Sequence, residues 1–125
     1  LAYRAELKDA LEPIASLKDF ELGVFAKYAE TKDPQYLDEL RSIVRDYASA
    51  IHASADITVP SEAAALHAST LNAMGQFSAV LEALADNAND PITVMTLLRT
   101  YNDAENSMIT SFNNLAMYFA HHQQT

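Results

Sequence analysis

The chain has 125 residues and a formal net charge of −9; half of its residues are hydrophobic and a fifth are charged. This length suits a single domain, residues 1–125, that can bury enough apolar surface to fold without a metal or a disulfide. The composition excludes a disordered protein. The absence of cysteine excludes disulfides, thiolate zinc sites and cysteine nucleophiles. Because the acidic charge repels phosphate backbones, we expect no nucleic-acid partner.

Two stretches, residues 63–81 and 106–125, contain no Asp, Glu, Lys or Arg. Both hold Asn, Gln and His and are too polar to span a bilayer, so we expect no direct membrane insertion by this segment. The sequence starts at Leu1 and carries no signal peptide, which predicts that an initiator methionine or a leader precedes it. An upstream hydrophobic anchor is compatible with this pattern. The lack of cysteine suits an exported protein but does not fix the compartment.

The first predicted helix runs to a connection near residues 31–33. Its apolar residues recur at spacings of three and four, which is typical of one buried helix face. These residues are Tyr3, Leu7, Leu11, Ile14, Leu17, Val24 and Tyr28. Pro13 lies inside the pattern, and its ring and missing N–H should kink or split the helix near Glu12.

Proline signals mark the start of the next three helices. Asp33-Pro34 and Asp90-Pro91 each join an N-cap aspartate to a proline at the first helical position, and Pro60-Ser61-Glu62 is a third start. Apolar residues with helical spacing follow each start: Leu37, Leu40, Val44, Tyr47 and Ile51; Leu71, Met74, Phe77, Leu81 and Leu84; Val94, Leu98, Tyr101, Met108, Phe112, Leu115 and Phe119. The short connections favour antiparallel neighbours. The sequence therefore predicts an all-α, antiparallel up-down-up-down four-helix bundle.

His67 falls on the core face of the third predicted helix. Counting residues from the corner near 57–60 places His52 and Glu12 at a similar height, so two histidines and a carboxylate could ligate zinc or iron. The sequence contains neither H-E-x-x-H nor E-x-x-H, the usual helical metal signatures. A hydrogen-bonded core histidine is the interpretation that we favour, and we expect no metal and no cofactor.

Glu105 falls on the stripe of the fourth predicted helix, between Tyr101 and Met108. A buried carboxylate is costly unless it is paired, which makes Glu105 a candidate general base or ligand anchor beside Tyr101 and Tyr47. The alternative, which we favour, is a slightly rotated helix in which Ala104 faces inward and Glu105 lies at the flank.

The outer face of the third predicted helix is small and neutral where exposed helices usually carry Lys and Glu. Its residues are Ala65, Ser69, Asn72, Gln76, Ala79 and Ala83. Such a face permits close approach of another helix and predicts a partner or self-association surface. An ordinary alanine-rich solvated face is the alternative.

Short pieces of sequence between residues 59 and 119 form a further pattern: Val59-Pro60, Leu66-His67, Leu71-Asn72, Asp90-Pro91, Tyr101 and Tyr118-Phe119. The pattern resembles an uncharacterised family of exported or membrane-tethered helical-bundle domains from small-genome bacteria of the candidate phyla. The resemblance implies an extracytoplasmic domain, usually preceded by a hydrophobic anchor, with no known activity. It also makes His67, Asn72 and Tyr101 the first positions to test.

The function that we expect follows from these features. Phosphate loops, nucleophile elbows and dinucleotide fingerprints are absent from the sequence, which disfavours an enzyme. We expect a non-enzymatic helical interaction or structural domain that binds a protein partner or itself through a helix face. The alternative is a small-ligand- or metal-binding bundle, a sensor or binding module, with a pocket near His52, His67 and Glu105.

Overall fold

The computed structural model describes residues 2–15 and 21–122, and within these ranges every regular element is a helix. The helices are α1 (Ala2–Ala10), α2 (Glu12–Ala15), α3 (Glu21–Thr31), α4 (Pro34–Ala55), α5 (Ala64–Asp86) and α6 (Pro91–His122), with a single 3-10 turn at Ser61–Ala63 before α5. The all-α class predicted from the sequence is confirmed. The first predicted helix corresponds to three short helices, and Leu17, which was expected on its core face, lies outside the described residues.

The break between α1 and α2 falls at Leu11, two residues before Pro13. Proline has no N–H, and its ring crowds the carbonyl four residues earlier, so the regular ladder cannot pass through this point. Bonds on either side survive, because the Leu11 N–H donates to the Leu7 carbonyl at 3.0 Å and the Ala15 N–H donates to the Leu11 carbonyl at 2.9 Å. Pro13 itself lies in the first turn of α2.

Side-chain caps start the two long helices that begin at proline. The Asp33 carboxylate accepts a hydrogen bond from the Gln35 N–H at 3.0 Å at the start of α4. The Asp90 carboxylate accepts from the N–H and the hydroxyl of Thr93 at the start of α6. These bonds satisfy N–H groups that have no partner within the helix and confirm both predicted starts.

The buried residues form two clusters. The larger cluster surrounds α5, which packs against both α4 and α6, while α4 also packs against α1, α2 and α3. Its most deeply buried large side chains include Phe77, Leu40, Met74, Leu81 and Leu84. The smaller cluster joins Tyr3 and Leu7 of α1 to Ala63 and Leu115, with Phe119 packed against them. Within the described residues, no helix is both long and apolar enough to cross a membrane.

Candidate functional site

His67 lies at the junction of three helices and is 7% exposed. Its Nε2 lies 3.0 Å from the carbonyl oxygen of Ser54 on α4, and its Nδ1 lies 2.8 Å from the hydroxyl of Tyr3 on α1. A carbonyl can only accept, so Nε2 carries the proton, Nδ1 accepts, and the Tyr3 hydroxyl donates. Both ring nitrogens of His67 therefore have hydrogen-bond partners, and the ring ties α1 and α4 to α5.

The same junction contains the hydroxyl of Ser54, which is fully buried and has no hydrogen-bond partner among the residues that the structure describes. Burial raises the pKa of Tyr3, and the nearby Tyr118 adds to the shift. Both observations describe a poorly solvated polar junction, where each hydrogen bond is strengthened by the low local dielectric.

The structure does not bring the weak metal candidates His52, His67 and Glu12 together. Among the residues that the structure describes, no group of three His, Cys, Asp or Glu side chains is placed to hold a metal ion. The side chain of His52 is 87% exposed and lies 4.0 Å from Asp56, and Glu12 is also exposed. His67 is buried against α1 and α4, whereas His52 lies on the surface, so the two rings have different surroundings.

A second polar group surrounds Phe77 in the larger cluster. The Phe77 ring packs between the rings of Tyr47 and Tyr101, at centroid distances of 5.4 and 5.1 Å. The Tyr101 hydroxyl donates to the Glu105 carboxylate at 3.2 Å, and the Tyr47 hydroxyl donates to the carboxylate of Glu21. We call these four polar residues, Glu21, Tyr47, Tyr101 and Glu105, the tyrosine–glutamate layer.

The electrostatics of this layer follow from its burial. Burial raises the pKa of Tyr47, and the nearby Glu21 carboxylate raises it further; burial and Glu105 do the same to the pKa of Tyr101. Burial and the charge of Glu105 also raise the pKa of Glu21. Both phenols stay protonated and act as donors, and the two carboxylates lie close enough to repel each other.

Sequence reasoning found Tyr47, Tyr101 and Glu105 but missed Glu21. The signal was present, because Glu21 lies three residues before Val24 and seven before Tyr28, on the same helix face. Ala104 is buried and Glu105 is half-buried, as the rotated-helix alternative describes. Asn72 is exposed on α5 and does not belong to a polar core. His52, His67 and Glu105 therefore lie in separate places and do not form the single pocket expected from the sequence.

The outer face of α5 lies between two open grooves. Ala65, Ser69, Gln76 and Ala79 are exposed, and Ala83 is half-buried. One groove runs along α4 and the other along α6, and Ala79 contributes to both. The α4 groove is lined by Ala48, Ile51, His52, Ala55, Gly75, Ser78, Ala79 and Glu82, and the α6 groove by Gln76, Ala79, Val80, Thr100, Asp103, Ala104 and Ser107. Each groove has a single acidic residue and no Lys or Arg.

No protein-family model matches the chain, and neither the curated proteins nor the solved structures include a match to it.

Proposed function

We propose that this chain is a non-enzymatic interaction domain that binds a protein helix, from a partner or a second copy, across the outer face of α5. The observation that carries the proposal is the pair of grooves that flank this small, nearly uncharged face. Helices with small contact residues pack at the short end of interaxial distances, so a partner helix can lie along α5 and place side chains in both grooves.

Gly75 supports this proposal. It lies in the middle of α5, where glycine costs about 1 kcal/mol relative to alanine. Apart from its chain neighbours and the nearby backbone of its own helix, no atom of the described residues lies within 4 Å of a Cβ added at Gly75, so the described fold does not require glycine there. Gly75, Ala79 and Ala83 recur every four residues, which keeps one line of the helix surface open to close approach by another backbone.

The proposal includes an arrangement and a location. The α1–α3 region and the three long helices would form an antiparallel four-helix bundle, supported by the short connections and by the layer around Phe77, to which α3, α4, α5 and α6 all contribute. The domain would work outside the cytoplasm, as a secreted or membrane-tethered protein of the exported family that its sequence resembles. Fractionation of the source cells tests the location.

The test of the α5 face uses a photo-crosslinking amino acid at Gln76, with the same substitution at exposed Ala26 on α3 as the matched control. We expect a discrete protein adduct from position 76, none from position 26, and loss of the adduct when Ala79→Lys fills both grooves. Equal crosslinking from both positions, or an adduct that Ala79→Lys leaves unchanged, would contradict the proposal. Circular dichroism of Ala79→Lys establishes that the variant is folded.

A second candidate function is small-ligand binding beside Glu105. The observation that favours it is the tyrosine–glutamate layer, which offers two carboxylates and two phenolic oxygens at the flank of the core. Elemental analysis of the purified protein and thermal shifts with zinc, iron and calcium test the metal version. No bound metal and no shift would eliminate it.

A further inference from the structure

The exposed large hydrophobic side chains of the described residues all lie on α6. They are Ile92, Met95, Ile109 and Met117, with 79, 69, 48 and 70% of their surface exposed. The other helices bury their large apolar residues or leave them half-buried. Four such residues on one helix form a pattern that differs from the scattered exposed hydrophobics of an ordinary monomer surface.

These side chains share one face of α6. At about 100° per residue they fall within an arc of roughly 100°, opposite the buried residues Tyr101, Met108 and Leu115. The helix has 32 residues and is about 48 Å long, and the face extends along most of it. We call this face the outer stripe.

Between its apolar residues the outer stripe contains Arg99, Asn102, Asn106, Asn113 and Ala120, all exposed. The arc itself contains no acidic residue, although the chain has a net charge of −9; the exposed Asp103 lies about 20° beyond its edge. Two copies of such a chain repel each other across acidic faces, whereas this stripe permits approach. Its single charge, Arg99, then decides the relative direction of two copies.

We propose that two copies of this chain pair along their outer stripes, antiparallel, with the two-fold axis at Asn106. About that residue Met95 faces Met117 of the second copy, Ile92 faces Ala120, Arg99 faces Asn113, and Ile109 faces Asp103 at the edge of the contact. Antiparallel pairing holds the two Arg99 side chains about 21 Å apart, whereas parallel pairing would bring them into contact. Asn106 meets its own copy, where an amide pair fixes the register.

The available area sets the strength of this pairing. A stripe about 42 Å long, from Ile92 to Ala120, and about 10 Å wide buries roughly 800 Å² in total, below the usual range for stable specific interfaces. We therefore expect a weak, reversible dimer with a dissociation constant in the micromolar range or above. The inference is independent of the proposed partner on α5, because the outer stripe is a different surface.

Single-cysteine variants test the geometry cleanly, because the chain has no cysteine of its own. Oxidation should link Asn106→Cys to itself. Met95→Cys alone should stay unlinked, since its two copies lie about 33 Å apart, but it should link to Met117→Cys when the two are mixed. Linking of Met95→Cys to itself as fast as to Met117→Cys would overturn the antiparallel pairing.

Sedimentation of the reduced protein at increasing concentration provides the second measurement. Met95→Glu should weaken the dimer by tenfold or more, since it places a carboxylate on each copy at the interface, while Ala26→Glu on α3 should leave it unchanged. A monomer at millimolar concentration would overturn the inference. So would a dimer that Ala79→Lys abolishes and Met95→Glu does not, a result that would instead place self-association on α5.

Discussion

Removing one hydroxyl at the His67 junction tests how firmly α1 is held. Tyr3→Phe keeps the ring, which packs 5.6 Å from the His67 ring and 5.4 Å from the Phe119 ring between centroids. It removes only the donor to the buried Nδ1 of His67. An unsatisfied buried acceptor costs about 1–3 kcal/mol, a large fraction of the roughly 5–15 kcal/mol that stabilises a typical domain.

We therefore expect Tyr3→Phe to lower the free energy of unfolding by about 1–3 kcal/mol, measured by urea titration followed by circular dichroism. His67→Phe should cost a similar amount, because it leaves the Tyr3 hydroxyl and the Ser54 carbonyl unpaired. The double variant should lose less unfolding free energy than the two single variants combined, because each substitution removes the group that the other one leaves unpaired. The difference measures the coupling across the hydrogen bond.

Hydrogen exchange on the same variants gives the local readout. The amides of α1 should lose protection in Tyr3→Phe before those of α5, because this bond joins α1 to the rest of the fold. Arg4→Ala on the exposed side of α1 is the matched control and should change little. A loss in Tyr3→Phe below about 0.3 kcal/mol, or strict additivity in the double variant, would refute the reasoning.

Three further predictions concern single positions. Because burial and Glu105 raise the pKa of Glu21 above its ordinary value of 4.5, its contribution to stability is complete below that value and is lost as the pH rises through the folded pKa. Glu21→Gln, which keeps a partner for Tyr47, should thus gain stability over the wild type from about pH 5 upward in urea titrations, and a pH-independent difference would contradict this. Gly75→Ala should stabilise the fold by about 0.5–1 kcal/mol in the same assay, because the added Cβ meets open space; a loss would show a hidden contact. Lys32 has a φ of 58°, so Lys32→Gly should exceed Lys32→Ala in stability by about 1 kcal/mol, and equal melting temperatures would show that the left-handed cap is not retained.

The starts of the long helices were predictable because they depend on neighbouring residues alone. Asp33 and Asp90 each reach N–H groups two or three positions away, and the prolines that follow them fit the first turn without losing a bond. The interruption near Pro13 is equally local. The path of the chain after such an interruption could not be predicted from the sequence. It depends on packing between residues that are distant in the sequence.

The polar sites likewise separate local features, which could be predicted, from long-range contacts, which could not. Helical spacing placed His67 on the core face, and burial confirms that position. Spacing did not show that Tyr3, 64 positions away, supplies its hydrogen bond. His52 lies one position from half-buried Ile51, and a single step of about 100° around α4 was enough to turn it outward. Estimating the height of each residue along its helix placed His52 near His67, but the rotation of His52 about the axis of α4 keeps the two apart.

Charge explains why α5 and α6 are the surfaces to test. Arg99 is the only Lys or Arg after Arg45. The C-terminal half therefore has few basic side chains to form ion pairs on its outer faces. An exposed helix gains solubility from mixed charges, yet α6 presents methionine and isoleucine, and α5 presents alanine and glycine. The α1–α4 region contains most of the acidic residues and all of the lysines. Adding Glu to the outer stripe and Lys to the α5 face should therefore leave folding intact and change only association.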